Sequence, residues 1–480
     1  MTMGPRRIGN LITGWRLGHR AAAGGAVVLL LAGITVAAIG RVSPAQTPVG
    51  HTVRHRSRPV AAPTTAPTPP PVSAPPTTAA PPPPDPAIAA MAGRLVAAMG
   101  ANPSCVLVRR GSTTLVDEGA GAALAPASTQ KLVVGAAALA TLGTDYRFVT
   151  RVVSDTPVVN GHAGHLWLVG SGDPLLATDA YLGLVLTHSH YPGPPVTPLD
   201  WLARALRQAG VTSSPGIAGD DSLLSDQRWL PTWPQQYLAE GDVGTLSALS
   251  LDEGWTSWLH PWVPVADPPA HAASALAGLM AAQGVSLGPV GPDSTAPVHA
   301  VTVATVTSAP LADIVSYMLA TSDNHVAELL TRTVGRVAGA SGTTSAGTAA
   351  VLRTAHRLGV PTSGAVMVDG SGLSPEDRAT CSELLSAYQL SGRFPALRSG
   401  LPVAGRTGTL YDLWNTAPLA GHVVAKGGWI DGVAGLVGTV EIGRGLDFAF
   451  LVNGNFGYPG AVGMETAALD ALASYATSHP

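Results

Sequence analysis

Hydrophobic and polar positions divide the first 86 residues of the chain into three stretches of different character. Residues 1–20 carry four arginines and no acidic residue, residues 21–40 are uncharged and apolar, and residues 41–86 are dominated by proline, threonine and alanine. An apolar run of about 20 residues has the length of a bilayer span, and arginines before it favour a cytoplasmic N-terminus. The pattern predicts a basic cytoplasmic segment, a single transmembrane anchor or a cleaved export signal, and an extended linker.

From residue 87 onward the hydrophobic positions recur with the periods of helices and strands. The predicted helices are 87–99, 128–142, 310–320, 325–337, 348–358, 378–390 and 463–475. The predicted strands are 104–110, 112–118, 422–426, 433–441 and 447–453. Strands near both ends therefore flank a helical middle. This order predicts an α+β fold in which an antiparallel sheet, formed by the two ends, is flanked by helices and joined to an all-helical lobe.

Residues 146–301 differ from the segments on either side in composition and in the pattern of hydrophobic positions. Short alternating segments are separated by loops rich in glycine and proline, and most of the ten tryptophans of the chain lie here. We predict one helix near 199–210 within an inserted domain that is otherwise largely β. The main domain would then consist of residues 87–145 and 302–480.

Composition narrows the choice of partners and of compartment. Charged residues make up only 12% of the chain and the net charge is −3, with the basic residues dispersed beyond the N-terminus. This distribution argues against a nucleic-acid partner. The two cysteines, Cys105 and Cys381, match none of the zinc or redox spacings. In an exported chain we expect them to form one disulfide.

The scarcity of lysine draws attention to one short motif. The chain contains only two lysines, Lys131 and Lys426, although lysine and arginine together number 27. Lys131 follows Ser128 by three residues, so on a helix the two side chains share one face. A buried lysine can lose its proton, whereas an arginine cannot, and a serine beside such an amine can be an activated nucleophile. Alone, this spacing is more often a serine near a helix start and a solvated lysine.

Two further motifs follow in order along the chain. Ser322-Asp323-Asn324 separates two predicted helices, and Lys426-Gly427-Gly428-Trp429 lies on a late strand. With Ser128-x-x-Lys131, they resemble the three boxes of penicillin-binding proteins and serine β-lactamases. Further segments are similar to those of the class C low-molecular-weight D-alanyl-D-alanine carboxypeptidases/endopeptidases, as is the long insertion between the first two boxes. These segments are Pro126-Ala127-Ser128-Thr129-Gln130-Lys131-Leu132, Val169-Gly170-Ser171-Gly172-Asp173-Pro174, Asp369-Gly370-Ser371-Gly372-Leu373-Ser374 and Leu401-Pro402-Val403-Ala404-Gly405.

The resemblance covers residue 86 to the C-terminus and implies a role for each box. Ser128 is expected to be the nucleophile, and Lys131, kept neutral by burial and by the second lysine, its base. Ser322 is expected to relay a proton to the leaving amine, and Asn324 to orient Lys131 and the substrate amide. The backbone N–H groups of Ser128 and Trp429 are expected to form the oxyanion hole. The expected substrate-binding residues are Lys426, Gly427, Gly428 and Trp429.

The same resemblance implies the reaction and its partners. We expect a penicillin-sensitive serine D-alanyl-D-alanine carboxypeptidase or endopeptidase that trims peptidoglycan stem peptides ending in D-Ala-D-Ala. β-Lactams would be covalent inhibitors, and neither a metal nor another cofactor is expected. The catalytic domain would lie outside the cytoplasm, attached to the cell membrane by the N-terminal helix or secreted after its cleavage.

Three alternatives stay open at this point. Arg406-Thr407-Gly408-Thr409 also resembles the third box, but residues 401–405 precede that box in the family, so we prefer Lys426. Gly427 stands where the family has Thr or Ser, whose hydroxyl helps to hold the terminal carboxylate of the substrate. A weakened or inactive homologue that binds the cell wall is therefore the alternative function. Finally, Gly284-Val285-Ser286-Leu287-Gly288 matches a nucleophile elbow, although a predicted helix rather than a strand precedes it.

Overall fold

The computed structural model describes residues 85–191, 193–258, 261–338 and 341–480. The predicted basic segment (1–20), the predicted anchor (21–40) and all but the last residues of the predicted linker (41–86) lie outside these ranges. Within them, no helix combines the length and the apolar character that crossing a membrane requires.

The helices and strands are numbered here in chain order. The helices are α1 (Pro86–Met99), α2 (Lys131–Leu142), α3 (Asp179–His188), α4 (Leu199–Gln208), α5 (Gln236–Glu240), α6 (Pro268–Ala282), α7 (Leu311–Thr321), α8 (Asn324–Val337), α9 (Thr344–Arg357), α10 (Cys381–Gln389), α11 (Ala396–Ser399) and α12 (Tyr458–Ser478). The strands are β1 (Ser104–Arg110), β2 (Thr113–Glu118), β3 (Val149–Ser154), β4 (Leu166–Val169), β5 (Leu176–Ala177), β6 (Thr197–Pro198), β7 (Ser213–Ser214), β8 (Ile217–Asp220), β9 (Trp255–Ser257), β10 (Val263–Pro264), β11 (Ser286–Leu287), β12 (Val301–Thr307), β13 (Val423–Ile430), β14 (Val433–Val440) and β15 (Leu446–Asn453). Short 3-10 turns lie at Ala127–Gln130, Asp252–Gly254, Leu390–Gly392 and Gly408–Leu410.

The main sheet unites strands from the two ends of the described chain. Its order is β13-β14-β15-β1-β2, and every neighbouring pair is antiparallel. The ends join where β1 pairs with β15, with Val106 opposite Phe450. The prediction of an antiparallel sheet closed by both ends is therefore confirmed. β13, which carries Lys426, is an edge strand and contacts the turn Ala127–Gln130 that carries Ser128.

Each face of the main sheet is covered by helices. On one face α1 packs against α12, over a core that includes Phe448 and Phe450. On the other face lies the predicted helical lobe, in which α2 contacts α7, α8, α9 and α10. Residues 131–139 of α2 are all buried, which explains why this helix is apolar on nearly every side. A disulfide between Cys105 and Cys381 joins β1 to the start of α10, as expected from the sequence.

The inserted region leaves and rejoins the main domain at adjacent strands. β3 and β12 are neighbours in a second sheet of order β12-β3-β4-β8. Both α4 and α6 pack against this sheet, and α4 buries Leu199, Leu202 and Leu206 at helical spacing. The prediction of a largely β insertion is therefore wrong, because the region is a mixture of helices and short strands. The loops that connect its helices contain short segments bounded by glycine and proline, and the sequence of these segments resembles that of strands.

Candidate active site

Ser128 lies in a tight turn immediately before α2. The turn is the 3-10 helix Ala127–Gln130. The helix predicted to start at residue 128 therefore begins where expected, but its first turn is a 3-10 helix rather than an α-helix. Ala127 has a φ of 46°, in the left-handed region that a residue with a Cβ rarely adopts. Gly372 supports this conformation by close approach, since a Cβ added there would lie 2.0 Å from the Ala127 carbonyl oxygen. The turn presents Ser128 toward the Lys131 side chain.

The Lys131 amine is the centre of the site. It is completely buried and hydrogen-bonded to Ser128 Oγ at 2.7 Å, to Asn324 Oδ1 at 2.6 Å and to the Ser371 carbonyl oxygen at 2.8 Å. Burial lowers the pKa of Lys131 to about 8, while four nearby carboxylates act in the opposite direction. These are Asp369, Asp323, Glu328 and Asp242. About a tenth of the amine is therefore neutral at pH 7 and able to accept a proton.

The second box forms the junction between α7 and α8. Ser322 ends α7 with a left-handed φ of 62°, and the Asp323 side chain caps α8 by accepting a hydrogen bond from Val326 N at 2.8 Å. Asn324 is the first residue of α8. This junction turns Ser322 and Asn324 toward the two lysines, which a continuous helix would not do.

Lys426 of the third box forms a hydrogen bond with the second box. Its buried amine, on β13, donates to Ser322 Oγ at 2.9 Å and to the Gly427 carbonyl oxygen at 2.6 Å. Gly428 brings the same strand against the nucleophile, because a Cβ there would lie 2.8 Å from Thr129 N and 3.0 Å from Ser128 N. The structure thus assembles the three predicted boxes around Ser128.

Gly427 and Trp429 share the opposite side of β13, since side chains alternate along a strand. A Cβ added at Gly427 would meet only Leu436 Cδ1, at 3.7 Å, which is ordinary van der Waals contact. Trp429 packs edge-to-face against Tyr458, with ring centroids 5.4 Å apart. Position 427 therefore has room for the Thr or Ser that the resemblance leads one to expect there.

The two alternative motifs lie in other surroundings. Arg406 is exposed and lies against Gly421. Thr407 Oγ1 accepts a hydrogen bond from Val403 N at 3.1 Å, so this motif stabilises the loop to which it belongs. Ser286 lies on β11, which follows α6 and pairs with β7 inside the inserted region. A nucleophile elbow requires a strand followed by a helix, and this order is the reverse.

The sequence reasoning missed several groups that support Lys131. Glu328 Oε1 accepts hydrogen bonds from Gly370 N at 2.9 Å and Ser371 N at 2.7 Å, which directs the Ser371 carbonyl at the amine. Burial raises the pKa of Glu328 to about 7. Glu328 lies four residues after Asn324 on α8, and this spacing on one helix face was the available signal.

The buried Asp369 carboxylate organises the same loop. It accepts hydrogen bonds from Gly372 N at 2.6 Å, from Ser374 N at 2.7 Å and from Trp233 Nε1 at 2.7 Å. Trp233 belongs to the inserted region, so that region contributes to the support of the site. In the described ranges, no group of His, Cys, Asp and Glu side chains has the arrangement of a metal site.

Comparison with known proteins places these motifs in a common context. The model of the D-Ala-D-Ala carboxypeptidase 3 (S13) family matches residues 97–260 and 258–474. Carboxypeptidase Rv3627c of Mycobacterium tuberculosis is 34% identical over 69% of this chain and 71% of its own length. Carboxypeptidase DacB of Mycolicibacterium smegmatis is 31% identical over 96% of this chain and 97% of its own length. The crystal structure of penicillin binding protein 4 from Haemophilus influenzae shares the fold, with a TM-score of 0.67 and 19% identity over 80% of this chain and 99% of that chain.

Proposed function

The chain belongs to the D-Ala-D-Ala carboxypeptidase 3 (S13) family, and we propose that Ser128 is the residue that carries its acyl group. The protein is a penicillin-sensitive serine D-Ala-D-Ala carboxypeptidase or endopeptidase. The observation that carries the assignment to Ser128 is its contact with a buried lysine whose pKa is lowered to about 8.

Acylation begins with transfer of the Ser128 hydroxyl proton to the neutral Lys131 amine. Ser128 Oγ then forms a bond with the carbonyl carbon of the penultimate D-Ala. Asn324 Oδ1 holds the Lys131 amine at 2.6 Å, so the base stays aligned with the hydroxyl as it gains a proton. The buried surroundings exclude the water that would otherwise solvate the ammonium form.

The oxyanion that develops on the carbonyl oxygen needs fixed donors. We assign this role to the backbone N–H groups of Ser128 and Trp429, which the close approach of Gly428 brings to neighbouring positions. When the C–N bond breaks, the proton that Lys131 took from Ser128 passes through the Ser322 hydroxyl, which Lys426 holds, to the amine of the terminal D-Ala, and Lys131 becomes neutral again. The products of this step are D-alanine and the acyl-enzyme.

Deacylation reverses the roles of the same groups. A water molecule adds to the ester carbonyl and gives a proton to Lys131, and Ser128 regains its proton as the C–Oγ bond breaks. Lys426 supplies positive charge for the substrate carboxylate. Gly427, Gly428 and Trp429 follow it on β13 and complete the part of the strand that we assign to substrate binding. A peptidoglycan stem peptide ending in D-Ala-D-Ala meets these requirements.

Release of D-alanine tests this function directly. The wild-type chain is expected to release D-alanine from a pentapeptide ending in D-Ala-D-Ala, and Ser128→Ala to release none. A cross-linked dimer of stem peptides, tested beside it, separates endopeptidase from carboxypeptidase action. Equal release by wild type and Ser128→Ala would contradict the role assigned to Ser128.

We also propose that residues 21–40 anchor the protein in the cell membrane with the catalytic domain outside the cytoplasm. The apolar run, the arginines before it and the Cys105–Cys381 disulfide support this placement, because disulfides persist in oxidising compartments. Fractionation of the producing cells is expected to recover the full-length chain with the membranes. Recovery of a shortened chain in the medium, with an N-terminus beyond residue 40, would favour the cleaved signal instead.

A further inference from the structure

One segment of the inserted region reaches the active site through two hydrogen bonds. We call it the 229–246 segment, after its residues on either side of α5. Before that helix, Trp233 Nε1 donates a hydrogen bond to Asp369 Oδ2 at 2.7 Å. After it, the Asp242 carbonyl oxygen accepts a hydrogen bond from Asn324 Nδ2 at 2.8 Å. Neither Trp233 nor Asp242 belongs to one of the three boxes.

The Asp369 carboxylate is buried and is held by fixed donors. Its Oδ1 atom accepts a hydrogen bond from Gly372 N at 2.6 Å, and its Oδ2 atom accepts one from Ser374 N at 2.7 Å. The Trp233 indole adds a donor to Oδ2 from outside the loop. Removing a donor from a buried charged acceptor is costly, so without the indole N–H we expect the carboxylate to turn.

The loop that Asp369 holds contacts both the base and the turn of the nucleophile. Its Ser371 carbonyl oxygen accepts a hydrogen bond from the Lys131 amine at 2.8 Å. Its Gly372 approaches the backbone of Ala127 so closely that a Cβ would not fit, and Ala127 directly precedes the nucleophile. A carboxylate that turns therefore displaces both an acceptor of the base and the support of the nucleophile.

The Trp233 side chain is itself fixed in place. Trp233 lies between Pro231 and Pro234 in the sequence, which restrict the backbone, and its own N–H donates to the Leu230 carbonyl oxygen at 3.1 Å. The side chain is only 2% exposed and packs edge-to-face against Trp229, with ring centroids 5.0 Å apart. The hydrophobic cluster around it includes three residues that adjoin the site, namely Ala127, Leu373 and Ile430. The direction of the indole N–H is therefore determined from several sides.

We propose that Trp233 is a positioning residue for acylation, acting through Asp369. Its N–H keeps the carboxylate in the direction that places the Ser371 carbonyl at Lys131 and Gly372 at the turn of the nucleophile. The inserted region is thereby a working part of the active site. This inference rests on the proposed function and adds to it a residue from outside the three boxes.

Removal of the indole N–H in the full-length chain tests the proposal. Replacement of Trp233 by benzothienylalanine keeps the two-ring shape and puts sulfur in place of the N–H group. The rate constant of acylation by benzylpenicillin is expected to fall by about 10- to 100-fold, because the base and the nucleophile are displaced. The dissociation constant of the initial penicillin complex is expected to stay the same, since β13 is untouched. Trp233→Phe also lacks the donor and is expected to be at least as slow.

Trp229→Phe is the matched control. Trp229 packs against Trp233 in the same segment, and within the part of the chain that the structure describes its buried indole nitrogen has no hydrogen-bond partner. Loss of this indole is expected to lower the melting temperature but to leave the acylation rate constant per folded molecule unchanged.

Three results would overturn the proposal. The first is a benzothienylalanine or Trp233→Phe variant that acylates like wild type. The second is a loss that lies in the dissociation constant of penicillin rather than in the acylation rate constant. The third is a Trp229→Phe variant as slow as Trp233→Phe. A wild-type chain that forms no acyl-enzyme would instead overturn the proposed function itself.

Discussion

Gly428 lies so close to the nucleophile that an added Cβ would stand 3.0 Å from the Ser128 amide nitrogen. The contact joins the edge strand of the main sheet to the turn before α2, and both of the proposed oxyanion donors lie beside it. Any side chain at position 428 must therefore push β13 away from Ser128.

Gly428→Ala is accordingly expected to lower the acylation rate by about 100-fold, since a displacement of the donors near 1 Å has effects of that size. Gly427→Ala is the matched control, because the neighbouring position has room for a Cβ and its rate should stay close to that of wild type. Stopped-flow measurement of penicillin acylation compares the two. Equal rates for the two variants would show that the approach of the strand is unimportant.

Gly427→Thr is expected to strengthen substrate binding. The added side chain fits beside Leu436, and its hydroxyl supplies a hydrogen bond to the substrate carboxylate worth about 1.5–3 kcal/mol, or roughly a 10- to 100-fold lower KM. The measurement is KM for D-alanine release from a pentapeptide, with Gly427→Val as a control of similar shape that lacks the hydroxyl. If Thr and Val change KM equally, the missing hydroxyl does not limit this enzyme.

The acylation rate is expected to rise with pH through the pKa of Lys131. The base must be neutral, and burial places its pKa at about 8, so the rate should increase about tenfold per pH unit below 8 and level off above it. Lys131→Arg, which stays protonated, should show no such rise and almost no acylation. A wild-type rate that is constant between about pH 6 and 8 would rule out a buried lysine as the base.

The disulfide is expected to stabilise the fold rather than to take part in the chemistry. Replacing both Cys105 and Cys381 by alanine should lower the free energy of unfolding by about 2–5 kcal/mol, as for other native disulfides. Denaturant titration with and without a reductant measures this change. The double variant should be insensitive to the reductant, whereas the wild type should fall to the same midpoint when reduced. Equal midpoints without a reductant would contradict the prediction.

The three boxes were predictable because each is a short local pattern. Ser128 and Lys131 are three residues apart, and Ser322, Asn324 and Lys426 lie in motifs readable without knowledge of the fold. The closing of the main sheet by strands from both ends of the main domain was also predictable, since β1 and β15 are each short, largely apolar segments with the length of a strand. In each case, the information is contained in a few neighbouring residues.

The parts that sequence reasoning missed depend on contacts between distant segments. Ser371 and Asp242 act through backbone carbonyls, which any residue possesses, so the residue type carries no signal. The helices near 199–210 and 272–283 were predicted, but the balance of the inserted region was misjudged because its remaining short segments, bounded by glycine and proline, have the sequence pattern of strands. Such features depend on tertiary packing rather than on local pattern.

Ser128 is the residue on which we expect the acyl-enzyme to form. Intact-mass spectrometry of the full-length chain after incubation with benzylpenicillin tests it most directly, with digestion to locate the adduct. We predict one covalent adduct on the peptide that contains Ser128 and no adduct in Ser128→Ala. An adduct that persists in Ser128→Ala, or a wild-type chain that stays unmodified at saturating penicillin, would contradict the account.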